Sequence, residues 1–318
     1  IHKDPTCFQT LESAGLPAAF LESINEVLPS SEAVSCIPHS LDALCLNNAG
    51  LQAVKERNAL HCFVKIFTSK LYLRALANET PSLLASGLDE LMRHAPSLRG
   101  DGVDACIEIL NTIAAMGGYV DTCSKQPHNE NDGNASVPME ADSEVVEQQL
   151  EVATVEVGLQ SEATHCDVET SESFLLEFIH NAARLLEALL QNADTSRIFV
   201  EKKGVEAILD LFSLPNLPVS FGGSSVAHSM SSPFRAFSPS HAIPLSRAVC
   251  NALRKSLAST IETLSVLADA KISDMPISER TKLVRCLSST ELYLSLSSVL
   301  VRSTNTTMTE LSAGGIDV

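Results

Sequence analysis

Two adjacent His–Cys pairs, His61-Cys62 and His165-Cys166, are the residues of this chain best suited to chemistry. A thiol beside an imidazole is the raw material of a cysteine nucleophile, because the imidazole can draw off the thiol proton. Consecutive positions on a helix do not face each other, so neither pair is set up by its spacing. The plainer alternative for Cys62 is a core cysteine beside a polar histidine. Cys166 falls in a stretch expected to lack structure. No G-x-S-x-G, G-x-x-x-x-G-K, H-E-x-x-H or G-x-G-x-x-G run is present. Hydrolase, phosphate-loop, zinc-protease and dinucleotide chemistries therefore have no support in the sequence. The expectation is of no catalytic residue, no metal ligand and no cofactor-binding residue.

The cysteines number nine: Cys7, Cys36, Cys45, Cys62, Cys106, Cys123, Cys166, Cys250 and Cys286. None forms a C-x-x-C pair, and several lie in apolar stretches where a reduced thiol packs as a small hydrophobe. This usage points to a reducing compartment, cytoplasm or nucleus, rather than to a disulfide framework. Arg99-Gly100-Asp101 spells an adhesion tripeptide, but a helix entry capped by Asp101 accounts for it. The sequons at Asn78, Asn134 and Asn305 carry meaning only on a secretory route. Ser232-Pro233 and Ser238-Pro239 are candidate proline-directed phosphorylation sites in an exposed loop.

The elements that would position these residues are helices. Apolar residues make up 45% of the 318, aromatics only 4%, and Trp is absent. Leu and Ala then carry the core, as helix-on-helix packing requires. The net charge is −17, and residues 121–172 hold thirteen Asp or Glu against one base, Lys125. An acidic chain repels phosphate backbones, which argues against direct nucleic-acid binding. No apolar run approaches the roughly 20 residues that span a bilayer. The chain starts at Ile1 and ends in the polar run Ser303 to Val318, as a piece of something longer would.

The expected fold is all-α, an armadillo- or HEAT-like helical solenoid with a disordered acidic insert. Residues 1–119 form a first helical block, 120–172 the insert, 173–302 a second block and 303–318 a polar tail. Pro17 opens a helix running to about Leu28. Pro38 is expected to split Ser31–Ile37 from Pro38–Asn47. Asn48-Ala49-Gly50 is a turn, and Leu51–Glu56 and Ala59–Thr68 are helices. Thr80 caps a helix whose buried stripe is Leu84, Leu88, Leu91 and Ala95. Val103, Cys106, Ile107, Leu110 and Ile113 share the next face.

The insert cannot bury enough apolar surface to offset chain entropy, although a weak helix over Ser143–Val157 is conceivable. It serves as a solvated spacer, a docking strip for a basic protein such as a histone tail, or a modifier-binding motif around Val155-Glu156-Val157. Beyond it, Phe174, Phe178, Ala182, Leu185, Leu186 and Leu189 form a stripe, and Ser196 caps a short helix. Residues 214–244 form a long Ser/Pro/Gly loop. Val249, Leu253, Leu257, Ile261, Leu264 and Leu267 mark a long helix, with two shorter ones near Ser278–Leu287 and Thr290–Val301.

A repeat is visible. Ala53-Val54-Lys55-Glu56-Arg57-Asn58-Ala59-Leu60 leads to Val64-Lys65-Ile66-Phe67. Phe199-Val200-Glu201-Lys202-Lys203-Gly204-Val205 leads to Leu209-Asp210-Leu211-Phe212. A short helix, a polar turn and a longer apolar helix recur, which is the logic of an armadillo or HEAT unit of about 40 residues. One such unit cannot bury its own apolar face, so units stack.

The first hundred residues also carry a family likeness. Asp4-Pro5-Thr6-Cys7-Phe8, Ala14-Gly15-Leu16-Pro17-Ala18-Ala19-Phe20-Leu21 and Leu28-Pro29-Ser30-Ser31 are similar to the N-terminal helical region of giant HECT-type E3 ubiquitin ligases. So are Cys36-Ile37-Pro38, Leu44-Cys45-Leu46-Asn47, Gly50-Leu51, Ile66-Phe67-Thr68-Ser69, Glu90-Leu91-Met92-Arg93-His94 and Ser97-Leu98-Arg99. The likeness is greatest to the plant or algal members. It is specific over about residues 1–116 and mainly pattern over 173–302.

The resemblance implies a non-catalytic scaffold segment whose partners are protein substrates and other parts of the same ligase. It implies that E2 and ubiquitin are reached only through a C-terminal domain absent here, whose cysteine cannot be carried onto any of these nine. No cofactor, nucleic-acid or membrane partner is implied. The rivals are a stand-alone armadillo-repeat adaptor and an enzyme with an unrecognised site. A downstream catalytic domain in the gene would exclude the adaptor.

Overall fold

The computed structural model describes residues 4–118, 163–237, 239–265 and 271–303; for residues 163–173 and 301–303 it describes the backbone helix alone. The described residues form helices joined by turns, with no strand among them. In chain order the α-helices are α1 (Phe8–Ser13), α2 (Leu16–Ser23), α3 (Ser31–Cys45), α4 (Asn48–Glu56), α5 (Cys62–Thr68), α6 (Thr80–His94) and α7 (Arg99–Gly118). After residues outside the description come α8 (Ala163–Leu189), α9 (Ala193–Glu201), α10 (Gly204–Asp210), α11 (Ser225–Ser231), α12 (Pro233–Ala236), α13 (Ala242–Ser265) and α14 (Ile277–Ser303).

Local chemistry sets the starts. Ser30 accepts from the Ala33 amide at the head of α3, Asn47 from Ala49 at α4, Asn192 from Asp194 and Thr195 at α9, and Ser224 from Ala227 at α11. Each side chain satisfies amides that the first helical turn leaves unpaired. Between α1 and α2 the chain turns through Gly15 at φ 72°, a left-handed conformation that glycine adopts without a Cβ clash.

The helices stack in sequence order. α3 packs on α6, α6 and α7 on α8, α5 on α7, α10 on α13, and α13 on α14. A single hydrophobic core runs through all of them, from Phe8 to Leu300. The all-α solenoid packing expected from the sequence is therefore present. The stripes read on α6 and α8 are buried, except that Phe174 is only partly covered. The weak helix over Ser143–Val157 lies outside the described residues, as does the part of the acidic stretch before Ala163.

Several local expectations are corrected. Pro38 does not split its helix. It sits inside a continuous α3, buried, where its missing amide removes one intrahelical bond and packing against α6 holds the helix together. Asn48-Ala49-Gly50 is the first turn of α4, because the Asn47 cap pulls the start forward. Thr80 lies inside α6 next to Glu79, Asp101 lies in the first turn of α7, and Ser196 is buried in α9; none of the three is a cap. α8 begins at Ala163, inside the stretch assigned to the insert.

The stretch 214–244 is not a plain loop. It carries α11, α12 and 3-10 turns, and it buries Phe221, Met230, Phe234 and Phe237. These aromatics convert a Ser/Pro/Gly composition into folded structure by supplying core area. The two helices expected after residue 277 are one, α14, since Leu287, Ser288 and Ser289 include no breaker.

The largest difference is in α13. Val249 is buried and Leu253 partly so, yet Leu257, Ile261 and Leu264 face solvent, Ile261 at 63% exposure; Leu267 lies outside the described residues. The buried side of that helix carries Thr260 and Thr263 instead. Hydroxyls make this possible. Thr260 Oγ1 donates to the Ser256 carbonyl at 2.9 Å, Thr263 Oγ1 to the Ser259 carbonyl at 2.8 Å, and Ser256 Oγ pairs with Thr290 Oγ1 on α14 at 2.9 Å. Polar groups with their bonds made can be buried at little cost.

Candidate functional site

The two members of His61-Cys62 part company in the fold. His61 ends a 3-10 turn, and its Nδ1 lies 3.0 Å from Glu108 Oε2 of α7, an exposed pair. Cys62 opens α5 and is buried in the core. Burial pushes its thiol up to about 12, away from the thiolate a nucleophile needs. Cys106 is raised to about 12 by burial alone, and Cys45 to about 12 by burial with the Asp42 charge beside it. Cys166 falls within the backbone span of α8, inside the stretch read as the insert. Among the described residues no group of three His, Cys, Asp or Glu side chains is placed to hold a metal ion.

The other motifs resolve into structural ties. Arg99 of the tripeptide bonds Asp194 Oδ2 at 3.0 Å and the Met92 carbonyl at 3.5 Å, linking α7 to α9 and α6. Asn78 is a turn residue at φ 57°, and its carbonyl accepts from Arg184 of α8. Ser232 is half-buried between α11 and α12, with Pro233 buried behind it, so it does not sit in an exposed loop. Ser238, Asn134 and Asn305 lie outside the described residues.

Sequence reasoning missed the polar contacts that lock the units together. Asp42 on α3 is 1% exposed, and its Oδ1 meets His94 Nδ1 of α6 at 2.9 Å. Asn192, the cap of α9, donates to Asp89 Oδ1 of α6 at 2.7 Å. Tyr72 donates to the Val27 carbonyl at 2.7 Å, and Tyr293 to the Leu209 carbonyl at 2.9 Å. The weak signal for Asp42 was a carboxylate on an otherwise apolar helix stripe.

Two hollows open on the surface of the described residues. A cleft of about 490 Å³ opens between α10, α13 and α14, lined by Lys255, Lys282 and Arg285 with Ser and Tyr hydroxyls. A wider trough of about 650 Å³ runs along α8 beside residues 70–78. Beyond them is the apolar strip of α13. Such features offer shape and charge to a partner.

Residues 1–220 match the family model described as Domain of Unknown Function (DUF913). The chain belongs to that family. This DUF913 chain is 48% identical to E3 ubiquitin-protein ligase UPL2 of Arabidopsis thaliana over 298 residues, 93% of the chain and 8% of the ligase. It is 48% identical to E3 ubiquitin-protein ligase UPL1 of the same plant over 297 residues, again 93% of the chain and 8% of the ligase. E3 ubiquitin-protein ligase HUWE1 of Mus musculus is 28% identical over 261 residues, 72% of the chain and 6% of the ligase. The chain thus spans under a tenth of the length of the relatives it matches. The ubiquitin-ligase likeness read from residues 1–116 extends across both helical blocks, and the plant members are among the relatives found.

Proposed function

We propose that this chain is a non-catalytic scaffold segment in the N-terminal, armadillo-like region of a HECT-type E3 ubiquitin ligase. It presents stacked helices to protein substrates and to other parts of the same ligase. E2 and ubiquitin engage a catalytic domain elsewhere in that protein. The carrying observation is 48% identity to two ligases over nearly the whole chain. Three of the thiols fit the same division of labour. Ubiquitin transfer through a cysteine needs an accessible thiolate, and Cys45, Cys62 and Cys106 are pushed the opposite way. The blocks 1–119 and 173–302 act as one docking body, because α8 packs on both α6 and α7. Free cysteines among the described residues favour a cytoplasmic or nuclear location.

The test is deletion of this segment from the full ligase. The expected result is normal ubiquitin thioester formation on the catalytic domain and loss of substrate ubiquitination. A reducing-agent-sensitive ubiquitin adduct on this segment itself, or loss of thioester formation on its deletion, would overturn the proposal.

A further inference from the structure

The trough along α8 differs in charge from the chain around it. Phe174, Glu177, Asn181 and Arg184 recur at spacings of three and four, so they share one face of α8 and line the trough. From Phe174 to Arg184 that face runs about 15 Å at the helical rise. Four or five residues of extended peptide span the same length, at about 3.3 Å each. Lys70 and Arg74 stand on the facing wall. Against these cations and Arg184 the lining sets one carboxylate, Glu177, in a chain of net charge −17.

Arg184 is engaged, by Glu79 at 2.9 Å and by the Asn78 carbonyl. Lys70 and Arg74 form no ion pair among the described residues; Lys70 Nζ lies 4.6 Å above the ring of Phe174. The lining of the trough also carries polar groups. His180 Nδ1 is buried with no hydrogen-bond partner, and the side chain of Asn181 lines the trough while only 7% exposed. Burial, with the Arg184 charge, lowers the His180 pKa and keeps its imidazole neutral. A neutral imidazole and a carboxamide suit the amides of a peptide backbone, while free cations suit carboxylates.

We propose that this trough binds an extended acidic segment of a protein partner, its carboxylates held by Lys70 and Arg74 and its backbone by Asn181. The proposal rests on the scaffold function above and names the chemistry of what is docked. The probe is a capped, fluorescein-labelled peptide Glu-Leu-Glu-Leu-Glu, followed by anisotropy against the 318-residue chain at low and physiological salt. Saturable binding is expected. It should weaken at least tenfold for the Gln-Leu-Gln-Leu-Gln peptide, for the Lys70→Glu/Arg74→Glu double variant, and for Asn181→Leu. Lys255→Glu, in the other cleft, should leave it unchanged.

Both cations are exposed, so the double variant should melt like the parent; the Lys70→Gln/Arg74→Gln pair serves if it does not. Equal affinity for the two peptides, indifference to the double variant, or no saturable binding up to millimolar peptide would overturn the proposal. Binding that appears only after excision of residues 120–162 would also overturn it, by assigning the trough to the chain's own acidic stretch. A negative peptide result beside a positive deletion result in the full ligase would remove the trough and leave the scaffold function standing.

Discussion

Asn58 and Lys203 hold the same place in two copies of one structural unit. Each is in the left-handed conformation, at φ 47° and φ 62°, at the turn between a short helix and the apolar helix that follows. The neighbours correspond too. Asn47 and Asn192 cap the short helices through their side-chain oxygens. Arg57 bonds the Ala18 carbonyl at 3.4 Å and Glu22 at 3.1 Å; Lys202 bonds the Gly100 carbonyl at 3.2 Å and Asp104 at 2.5 Å. In both cases a cation clasps a carbonyl and the carboxylate one turn further along an earlier helix, α2 for Arg57 and α7 for Lys202. The repeat is therefore one of capping, turn and cross-unit contact as well as of apolar pattern.

That correspondence makes Lys203 a point of stored strain. A left-handed L-residue costs about 1–2 kcal/mol, and Asn tolerates the conformation better than Lys. Lys203→Gly should gain up to about 1 kcal/mol after glycine's own entropy cost is subtracted. Lys203→Val should lose at least about 1 kcal/mol, since a branched side chain suits the conformation least. Thermal melting of the two variants checks both signs.

Gly87 lets α6 approach the proline of α3. A Cβ added there would lie 2.7 Å from Pro38 Cβ, and a ring carbon cannot swing away. Gly87→Ala should cost about 1–2 kcal/mol net of alanine's higher helix propensity. At Gly102 an added Cβ would meet Met92 Sδ at 2.6 Å, the far end of a pliable side chain. Gly102→Ala should therefore cost less than Gly87→Ala in urea titrations, and equal costs would contradict the close packing of α3 on α6.

Leu88, Leu253 and Ile261 test the faces of the helices. Leu88 is buried, and Leu88→Asp should cost about 3–5 kcal/mol by burying an unpaired charge. Leu253 is only partly covered, so Leu253→Asp should cost about 1–2 kcal/mol of lost apolar burial. Ile261→Asp, on the exposed strip, should fall within about 0.5 kcal/mol of the parent. Chemical denaturation gives the ranking, and a severe effect at Ile261 would reverse the assigned orientation of α13.

The buried thiols give the fold an alkaline limit. Cys62 and Cys106 have thiols raised from 9.0 to about 12, so the folded state holds its protons where the unfolded state releases them. Their contribution is fully present below pH 9 and is lost progressively as pH rises toward 12. Stability measured from pH 8 to 11 should fall, and Cys62→Ala/Cys106→Ala should flatten that slope while lowering stability at neutral pH. Iodoacetamide at pH 8 should label exposed Cys36 in the folded chain and leave Cys62 and Cys106 untouched.

The amino-acid sequence by itself determined the helical class, the stripes of α6 and α8, the paired repeat and the family. All of these follow from short-range spacing: an apolar residue every three or four positions, and turn residues at fixed offsets. Tertiary structure decided what short-range signals do not carry. Packing kept α3 whole through Pro38, and it folded residues 221–236 by giving their aromatics a core to enter. It also turned Leu257, Ile261 and Leu264 of α13 outward, because the hydroxyls of Ser256, Thr260 and Thr263 found partners on their own helix and on α14. The trough beside α8 belongs with these. Lys70 and Arg74 lie far along the chain from Asn181 and Arg184, and only the stacking of units brings the two pairs to one place.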